Sequence, residues 1–354
     1  MPRPDLVDAI CAARDASDNG RLDIRPPITI RRNDGKLSIF ASDDLARAML
    51  LYQRQIRDHD YGIARLTLLM IEQSIQVEKL ATLVCETIYP RLQIAVAAAP
   101  GTPVDELVLA LYAQYARLTP SDIRARLERA DEILAAKWQE IAGKEDELNA
   151  ASLKAFYDSL PFPIACTLNK ITQDRLALAY HALPLWVALS QKPTAAFDFG
   201  GNSGLMTSLM AAIGVEHCLL MDCSQSVLDF ASWKDRRMGL HSIDYRELGA
   251  AAATFPQSDF QRFDFGICTE VLEHLIDVES AVAMMAALLK KGGLLFFSAS
   301  FGHYPCSAHL LRNVPYAGRE DDLFRRHGLR PIEADFPIPL APAQRLYQKI
   351  SGLG

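Results

Sequence analysis

The sequence predicts an α/β protein in which a parallel sheet, covered by helices on both faces, follows a mainly helical N-terminal region. From Ala195 onward, short apolar runs alternate with helical patterns, which is typical of parallel strands joined by crossover helices. A Gly-rich turn at residues 200–204 separates the first run from the first helix. The chain has 354 residues, enough for two domains. We predict a helical cap or substrate domain at 1–155, a connecting segment at 156–190 and the sheet domain at 191–354.

Charge and composition exclude several classes of function. The net charge of −6 provides no basic surface for nucleic acid or an anionic membrane. Charged residues interrupt every apolar run that approaches the length of a bilayer, and the first residues lack the apolar core of a secretory signal. We therefore expect a cytoplasmic protein that acts on a small molecule, with a homo-oligomer left open. The seven cysteines include no C-x-x-C pair, so we predict free thiols and no metal site.

The first 150 residues are predicted to be mostly helical. Residues 28–40 are the exception, because apolar residues alternate there around an Asn-Asp-Gly turn, which indicates a hairpin. Helical spacing over residues 45–98 is sufficient for two or three helices. Thr102 and Thr119 each precede a proline, a pattern that favours a hydroxyl N-cap followed by proline at the first helical position.

The segment 156–163 combines aromatic residues, an acid and two prolines. It fits either a linker between domains or a clamp over a bound ligand, and the sequence leaves both open. A helix over residues 173–190, interrupted near Pro184, is predicted to follow it. This helix carries Tyr180 just ahead of the Gly-rich turn.

The Gly-rich turn and the acid that follows it predict a nucleotide site. The turn at residues 200–204 does not match the dinucleotide pattern G-x-G-x-x-G, and no P-loop lysine follows. Its glycines allow close approach of the backbone to a ligand, and the next helix adds oriented N–H groups. Asp222 ends the predicted strand 217–222. A carboxylate there can accept hydrogen bonds from both ribose hydroxyls, or cap the next helix, or do both.

Two later segments add to the predicted site. Asp244 and Tyr245 are predicted to end a third strand at 240–244, where the carboxylate either receives an adenine amine or caps a loop. Residues 263–275 are the most specific stretch of the chain, and a Lys-Lys-Gly-Gly turn at 290–293 follows.

These segments resemble the class I S-adenosylmethionine-dependent methyltransferases. The family's D-x-G-x-G-x-G motif matches residues 198–204, with Asn202 in place of the middle glycine. Asn202 either narrows the space beneath the cofactor or adds a side-chain hydrogen bond there. The family's acidic residue after the second strand matches Asp222, and its F-D-x-V-x-x-x-x-V-L-E-H-L stretch matches residues 263–275. The resemblance covers about half of the chain, at residues 175–350.

The resemblance implies a Rossmann-like class I methyltransferase sheet behind a mainly helical N-terminal domain, with S-adenosyl-L-methionine as cofactor. The Gly-rich turn would hold the methionine portion, Asp222 the ribose, and Asp244 with Tyr245 the adenine. Thr269 and Glu270 would line the inner wall. The predicted cofactor-binding residues are Tyr180, Gly200, Gly201, Asn202, Ser203, Asp222, Cys223, Asp244, Tyr245, Thr269 and Glu270. Glu273 and His274 are interpreted as structural.

Catalytic residues are harder to predict, because methyl transfer mainly requires alignment of the acceptor with an already electrophilic carbon. Aromatic faces can stabilise the sulfonium, and a general base is needed only for a hydroxyl or a protonated amine. The candidates are Tyr157, Tyr180 and His303. His303 directly follows the fifth predicted strand, where active-site loops of open α/β sheets gather.

The leading hypothesis is methyl transfer to a small molecule, in secondary metabolism. An alternative uses the same fold as azetidine-2-carboxylate synthases do: the amine of the cofactor attacks its own γ-carbon and methylthioadenosine is released. The cofactor is then the sole substrate, and Phe156, Tyr157 and Tyr180 would form an aromatic cage around it. A second alternative is a non-catalytic, cofactor-binding interaction protein that uses its helical region for docking.

Overall fold

A computed structural model describes residues 61–142, 148–158, 175–248, 255–301, 308–334, 336–338, 340–341 and 343–350. The predicted hairpin at 28–40, the residues after Asp158 in the predicted linker or clamp, and His303 lie outside these ranges.

Ten α-helices lie in the described part of the chain: α1 (Tyr61–Val96), α2 (Val104–Ala116), α3 (Pro120–Glu128), α4 (Ala130–Ala142), α5 (Ala150–Asp158), α6 (Arg175–Gln191), α7 (Leu205–Ala212), α8 (Gln225–Arg237), α9 (Val278–Leu288) and α10 (Glu320–Arg326). Two of them are more continuous than the sequence predicted. α1 is a single helix of 36 residues that passes through Pro90, and α6 passes through Pro184 without a break. Buried neighbours on both sides of each proline, such as Ile88 and Leu92 in α1, hold these helices together by tertiary packing.

The two predicted helix caps differ. Thr119 caps α3 as predicted: its hydroxyl accepts from the Asp122 backbone N–H at 3.2 Å, and the Asp122 carboxylate accepts from the Thr119 N–H. The cap predicted at Thr102 is wrong. The N-cap residue of α2 is Pro103, and no side chain caps this helix. The Thr102 hydroxyl instead donates to the Ala99 carbonyl at 2.8 Å.

Seven strands form one sheet: β1 (Ala195–Phe199), β2 (His217–Asp222), β3 (Ile243–Glu247), β4 (Phe263–Thr269), β5 (Leu289–Ser298), β6 (Leu329–Pro331) and β7 (Gln344–Lys349). Their order is β3-β2-β1-β4-β5-β7-β6. β1 to β5 are parallel in the order of a doubly wound fold, as predicted, whereas β7 runs antiparallel between β5 and β6. Crossovers between parallel strands are right-handed. The helices that follow β1 and β2 therefore lie on one face of the sheet, and the helix that follows β4 lies on the other face.

The predicted end of the third strand is wrong. β3 begins at Ile243 and continues to Glu247, and Glu247 pairs with Asp222 at the carboxyl end of β2. Asp244 pairs with Leu219, three positions earlier. The residues beside Asp222 are therefore Glu247, the last residue of β3, and Leu248, which follows the strand. The Leu248 N–H donates to the Asp222 carbonyl.

The described residues form two compact units. The smaller contains 61–84, 175–182 and 336–338, and the larger contains all the others, including the whole sheet and α2 to α5. The borders of these two units do not fall at residues 155 and 190. They do not test the predicted domain boundaries, which stay a prediction. None of the helices in the described ranges combines the length and the apolar character needed to cross a membrane.

Candidate active site

The turn between β1 and α7 is held against β2 by its own backbone. The N–H groups of Gly200 and Gly201 donate to the Met221 carbonyl at 2.8 and 3.2 Å. Gly200 has φ +69°, and a Cβ there would lie 2.6 Å from the Val271 side chain. Only glycine satisfies both conditions. The strand order reverses next to β1, so this turn lies where open α/β sheets bind their ligands.

Asn202 occupies a left-handed position, with φ +53°, which asparagine tolerates better than most residues. Its side-chain Oδ1 accepts from the Ser203 N–H at 2.7 Å. Its own N–H donates to the Asp222 carboxylate at 3.0 Å. The residue that replaces the family's middle glycine therefore stiffens the turn through a local hydrogen bond.

Asp222 is buried at the end of β2, and each of its oxygens accepts one backbone N–H. Oδ2 accepts from Asn202 and Oδ1 accepts from Ser224, both at 3.0 Å. Ser224 is the N-cap of α8, so Asp222 holds the cap residue rather than capping the helix itself. Burial raises the pKa of Asp222 to about 6, although the two N–H bonds oppose that shift. The carboxylate still has the capacity to accept a hydrogen bond from a ribose hydroxyl, so the residues present fit S-adenosyl-L-methionine.

A mostly apolar pocket opens beside Asp222. It is lined by α5, by the residues at the ends of β1, β2 and β3, and by the segment from β4 into α9: Ala150, Leu153, Lys154, Tyr157, Phe199, Cys223, Leu248, His274, Leu275, Ile276, Asp277, Ser280, Ala281 and Met284. Lys154 ties α5 to two of the strand ends. Its ammonium lies 2.6 Å from Glu247 and 2.7 Å from Asp158, and it donates to the Cys223 carbonyl at 3.3 Å.

Tyr157 lines this pocket, as its predicted role requires. Its ring packs edge-on against Phe156, at 5.1 Å between centroids, and against His274, at 6.5 Å. Phe156 is fully buried and packs against Trp138. The packing of Phe156 thus fixes α5, the helix that carries Tyr157. The contact of Tyr157 with a sulfonium stays a prediction.

Of the other predicted cofactor-binding residues, Cys223 lines the pocket, whereas Asp244 and Tyr245 are not part of its lining. The backbone carbonyl of Cys223 receives Lys154. Tyr245 points elsewhere, because its hydroxyl donates to Asp235 at 3.0 Å, and Asp244 is exposed near the start of β3. The adenine contacts predicted for Asp244 and Tyr245 relied on the wrong strand end, and Leu248 takes that place in the pocket wall.

Tyr180 lies on α6 in the smaller unit, and its contact with the cofactor stays a prediction. Thr269 is half-buried at the end of β4, directly before Glu270.

Glu270 is held by two hydroxyl groups. Its carboxylate accepts from Ser298 Oγ at 2.8 Å and from Ser300 Oγ at 2.7 Å. Burial favours the neutral carboxyl, but these hydrogen bonds outweigh it and hold the pKa of Glu270 below its usual range. Glu270 is therefore ionised at neutral pH.

Glu273 and His274, interpreted as structural from the sequence, lie in a short 3-10 helix just beyond Glu270. Glu273 is 1% exposed; Oε1 accepts from the Ser300 N–H at 3.0 Å, and Oε2 has no hydrogen-bond partner among the described residues. Burial and the negative charge of Glu270 raise the pKa of Glu273 to about 8. His274 Nδ1 lies 2.8 Å from the Ala308 carbonyl, which only accepts, so Nδ1 carries the proton.

His309 completes this cluster. Its ring stands edge-on to that of His274, with centroids 4.7 Å apart, and its buried Nδ1 has no partner in the described ranges. Burial lowers the pKa of both histidines, to about 4 for His274, so both are neutral at pH 7. The Glu-His pair at 273–274 is visible in the sequence, but no sequence signal connects it with His309.

Comparison with known proteins gives three results. Residues 170–334 match a family model described as a methyltransferase domain. A ubiquinone biosynthesis O-methyltransferase from Methylococcus capsulatus is 37% identical over 103 residues, which are 29% of this chain and 42% of that protein. The corresponding protein from Aromatoleum aromaticum is 36% identical over 101 residues, which are 28% of this chain and 42% of that protein. The chain thus spans less than half the length of these curated relatives.

Solved structures give looser matches. The [4+2]-cyclase SpnF aligns with a TM-score of 0.40 at 16% identity, over 52% of this chain and 75% of that chain. A SAM-dependent methyltransferase from Aquifex aeolicus aligns with a TM-score of 0.38 at 11% identity, over 57% of this chain and 97% of that chain.

Proposed function

We propose that this chain, whose residues 170–334 form a class I methyltransferase domain with S-adenosyl-L-methionine as its cofactor, methylates a hydroxyl oxygen of a small molecule. One observation carries the proposal: a single pocket is lined by Phe199, which precedes the Gly-rich turn, by Cys223, which follows Asp222, and by His274 of the polar segment after β4. A small acceptor is favoured because α5, through Lys154, lies over the ends of β2 and β3.

The proposed cofactor contacts use groups already in position. Asp222 would accept hydrogen bonds from the ribose hydroxyls, and Leu248 and Phe199 would flank the adenine. When bound, the cofactor supplies a methyl carbon that is electrophilic because it is attached to a positive sulfur. Tyr157 would lie over that charge, where an aromatic face is favourable.

The proposed acceptor is a hydroxyl because such a group must lose its proton during transfer, and the pocket wall contains polar groups for that purpose. His274 lines the pocket and belongs to the cluster that includes Glu273 and His309. The proteins from Methylococcus and Aromatoleum are named O-methyltransferases, which supports an oxygen acceptor without identifying it.

The test is product analysis with the purified full chain. S-adenosyl-L-methionine is incubated alone, and then with a phenol, a catechol, an aliphatic alcohol or an amine, and the nucleoside products are separated. We expect S-adenosylhomocysteine only when a hydroxyl compound is present. Asp222→Ala should abolish the signal at low cofactor concentration, whereas Asp229→Ala, which changes an exposed carboxylate on α8, should not.

Two other products would overturn the proposal. Methylthioadenosine formed without an acceptor would establish cyclisation of the cofactor. Tight binding of S-adenosylhomocysteine, with no product from any acceptor class, would favour a non-catalytic, cofactor-binding protein.

A further inference from the structure

We infer that Glu273, His274 and His309 form a binding site for a divalent cation of the zinc type, and that the remaining coordination position faces the pocket. The cation site stands on geometry alone. Its role, to hold the acceptor oxygen, rests on the proposed function.

The first support is the arrangement of donor atoms. One ligand atom from each of the three residues lies within 4.8 Å of the other two. Zinc binds imidazole nitrogen and carboxylate oxygen at about 2.0–2.2 Å, so two of its ligands lie up to about 4.4 Å apart. Small side-chain rotations therefore bring the three atoms to bonding distance.

The second support is unsatisfied polarity. Glu273 Oε2 and His309 Nδ1 are the two buried side-chain atoms in the described part of the chain that have no hydrogen-bond partner, and both belong to this cluster. Buried polar atoms are nearly always paired, because an unpaired one has lost its water without replacement. Glu273 is 1% exposed, so solvent does not satisfy it. A cation between these atoms would pair both.

The third support is the orientation of the ligands by their neighbours. The Ala308 carbonyl accepts from His274 Nδ1, which leaves the Nε2 lone pair free, and the Ser300 N–H holds Glu273 Oε1. Metal-binding histidines usually donate their second ring N–H in this way. Two imidazoles with one carboxylate are typical of zinc and other first-row cations in sites that keep a position open.

The open position explains why the cluster borders the pocket. A hydroxyl bound there would be more acidic, because the cation stabilises the oxygen anion. In the transfer, the acceptor oxygen gives its proton to solvent and forms the new O–C bond. The C–S bond of the sulfonium breaks, and its electron pair stays on sulfur. The cation keeps its charge and oxidation state throughout.

The site is tested on the full chain, in chelator-treated buffer, without cofactor or acceptor. Zn²⁺ binding is measured by calorimetry, and Co²⁺ binding by its visible absorption. We expect one ion per chain. Glu273→Gln and His309→Gln should each weaken binding by at least about tenfold, which is the loss seen even for residues that only orient ligands.

The matched control is His327→Gln. His327 also lies beside a carboxylate, with its Nε2 2.7 Å from Glu279, but outside the cluster, and its loss should leave binding unchanged. Retained affinity for S-adenosylhomocysteine shows that each variant is folded. Absence of stoichiometric binding, or binding that both cluster variants leave intact, overturns the site.

The acceptor role has its own readout. A catechol added to the Co²⁺ protein should shift the absorption, because an oxygen enters the open position. Binding of the ion without this shift overturns the acceptor role but leaves the cation site. Failure of methyl transfer with every acceptor, with the ion still bound, is a failure of the proposed function alone.

Discussion

Two buried polar clusters of the larger unit differ in how completely their hydrogen bonds are satisfied. In the first, the Lys234 ammonium lies 2.6 Å from Asp235 and donates to Ser208, and Tyr245 donates to the second Asp235 oxygen. These groups join α7, α8 and β3. In the second, which follows β4, Glu273 and one histidine each leave a buried atom without a partner in the described residues.

The difference separates a structural cluster from a binding cluster. A satisfied buried network fixes the elements that it connects, and it has little left to offer a ligand. An unsatisfied network lowers the stability of the fold, and the fold is stabilised when a ligand supplies the missing hydrogen-bond partners. Both clusters contain a fully buried carboxyl group, Asp235 in the first and Glu273 in the second, so burial alone does not distinguish a binding site from a scaffold.

The largest effect is expected for Lys234→Met. It would leave Asp235 buried without its cation, which costs about 3–5 kcal/mol of unfolding free energy. Denaturant unfolding followed by circular dichroism measures this loss. The control is Lys137→Met, which removes an ion pair with Glu140 on an exposed helix surface and should leave stability unchanged. An equally small effect of both variants would contradict the structural role.

Asp222 is an intermediate case, because both of its oxygens accept a backbone N–H group, yet the carboxylate can still accept a hydrogen bond from a ligand. Asp222→Ala should weaken S-adenosylhomocysteine binding about ten- to a hundredfold, since a hydrogen bond to a charged group contributes roughly 1.5–3 kcal/mol. Calorimetric titration tests this, with Asp229→Ala as control. Unchanged affinity in a folded variant would remove Asp222 from the cofactor site.

The pH dependence of binding should follow the raised pKa of Asp222, about 6. Ribose hydroxyls donate to the ionised carboxylate, so below pH 6 the free protein must first release a proton. Affinity for S-adenosylhomocysteine should then fall about tenfold from pH 7 to pH 5. In Asp222→Ala this dependence should disappear. A wild-type affinity that rises as the pH falls would contradict the assignment.

The smallest effect is expected for Glu273→Gln in the absence of metal. Glutamine keeps the side-chain volume and removes a carboxyl group buried beside Glu270, so the melting temperature should stay the same or rise. Differential scanning calorimetry in chelator-containing buffer measures it. A decrease like that expected for Lys234→Met would show that Glu273 already has its partners, and the contrast between the clusters would fail.

The sequence by itself determined the fold class and the cofactor. These features depend on local signals: glycines where the backbone turns sharply at residues 200–204, an acid at the end of β2, and the motif at residues 263–275. Such signals lie within one strand-turn-helix unit, and neighbouring residues fix their geometry. The N-cap at Thr119 was predicted from the same kind of local signal, although the same Thr-Pro pattern at Thr102 did not produce a cap.

Only the tertiary structure decided the rest. Pro90 and Pro184 stay inside continuous helices because side chains packed around them outweigh local propensity. The end of β3 depends on its register with β2, and this register places Leu248 rather than Asp244 in the pocket wall. His309 reaches Glu273 and His274 only because the chain returns after β5 to the end of β4. Packing, register and chain return join residues distant in sequence, so no local pattern contains them.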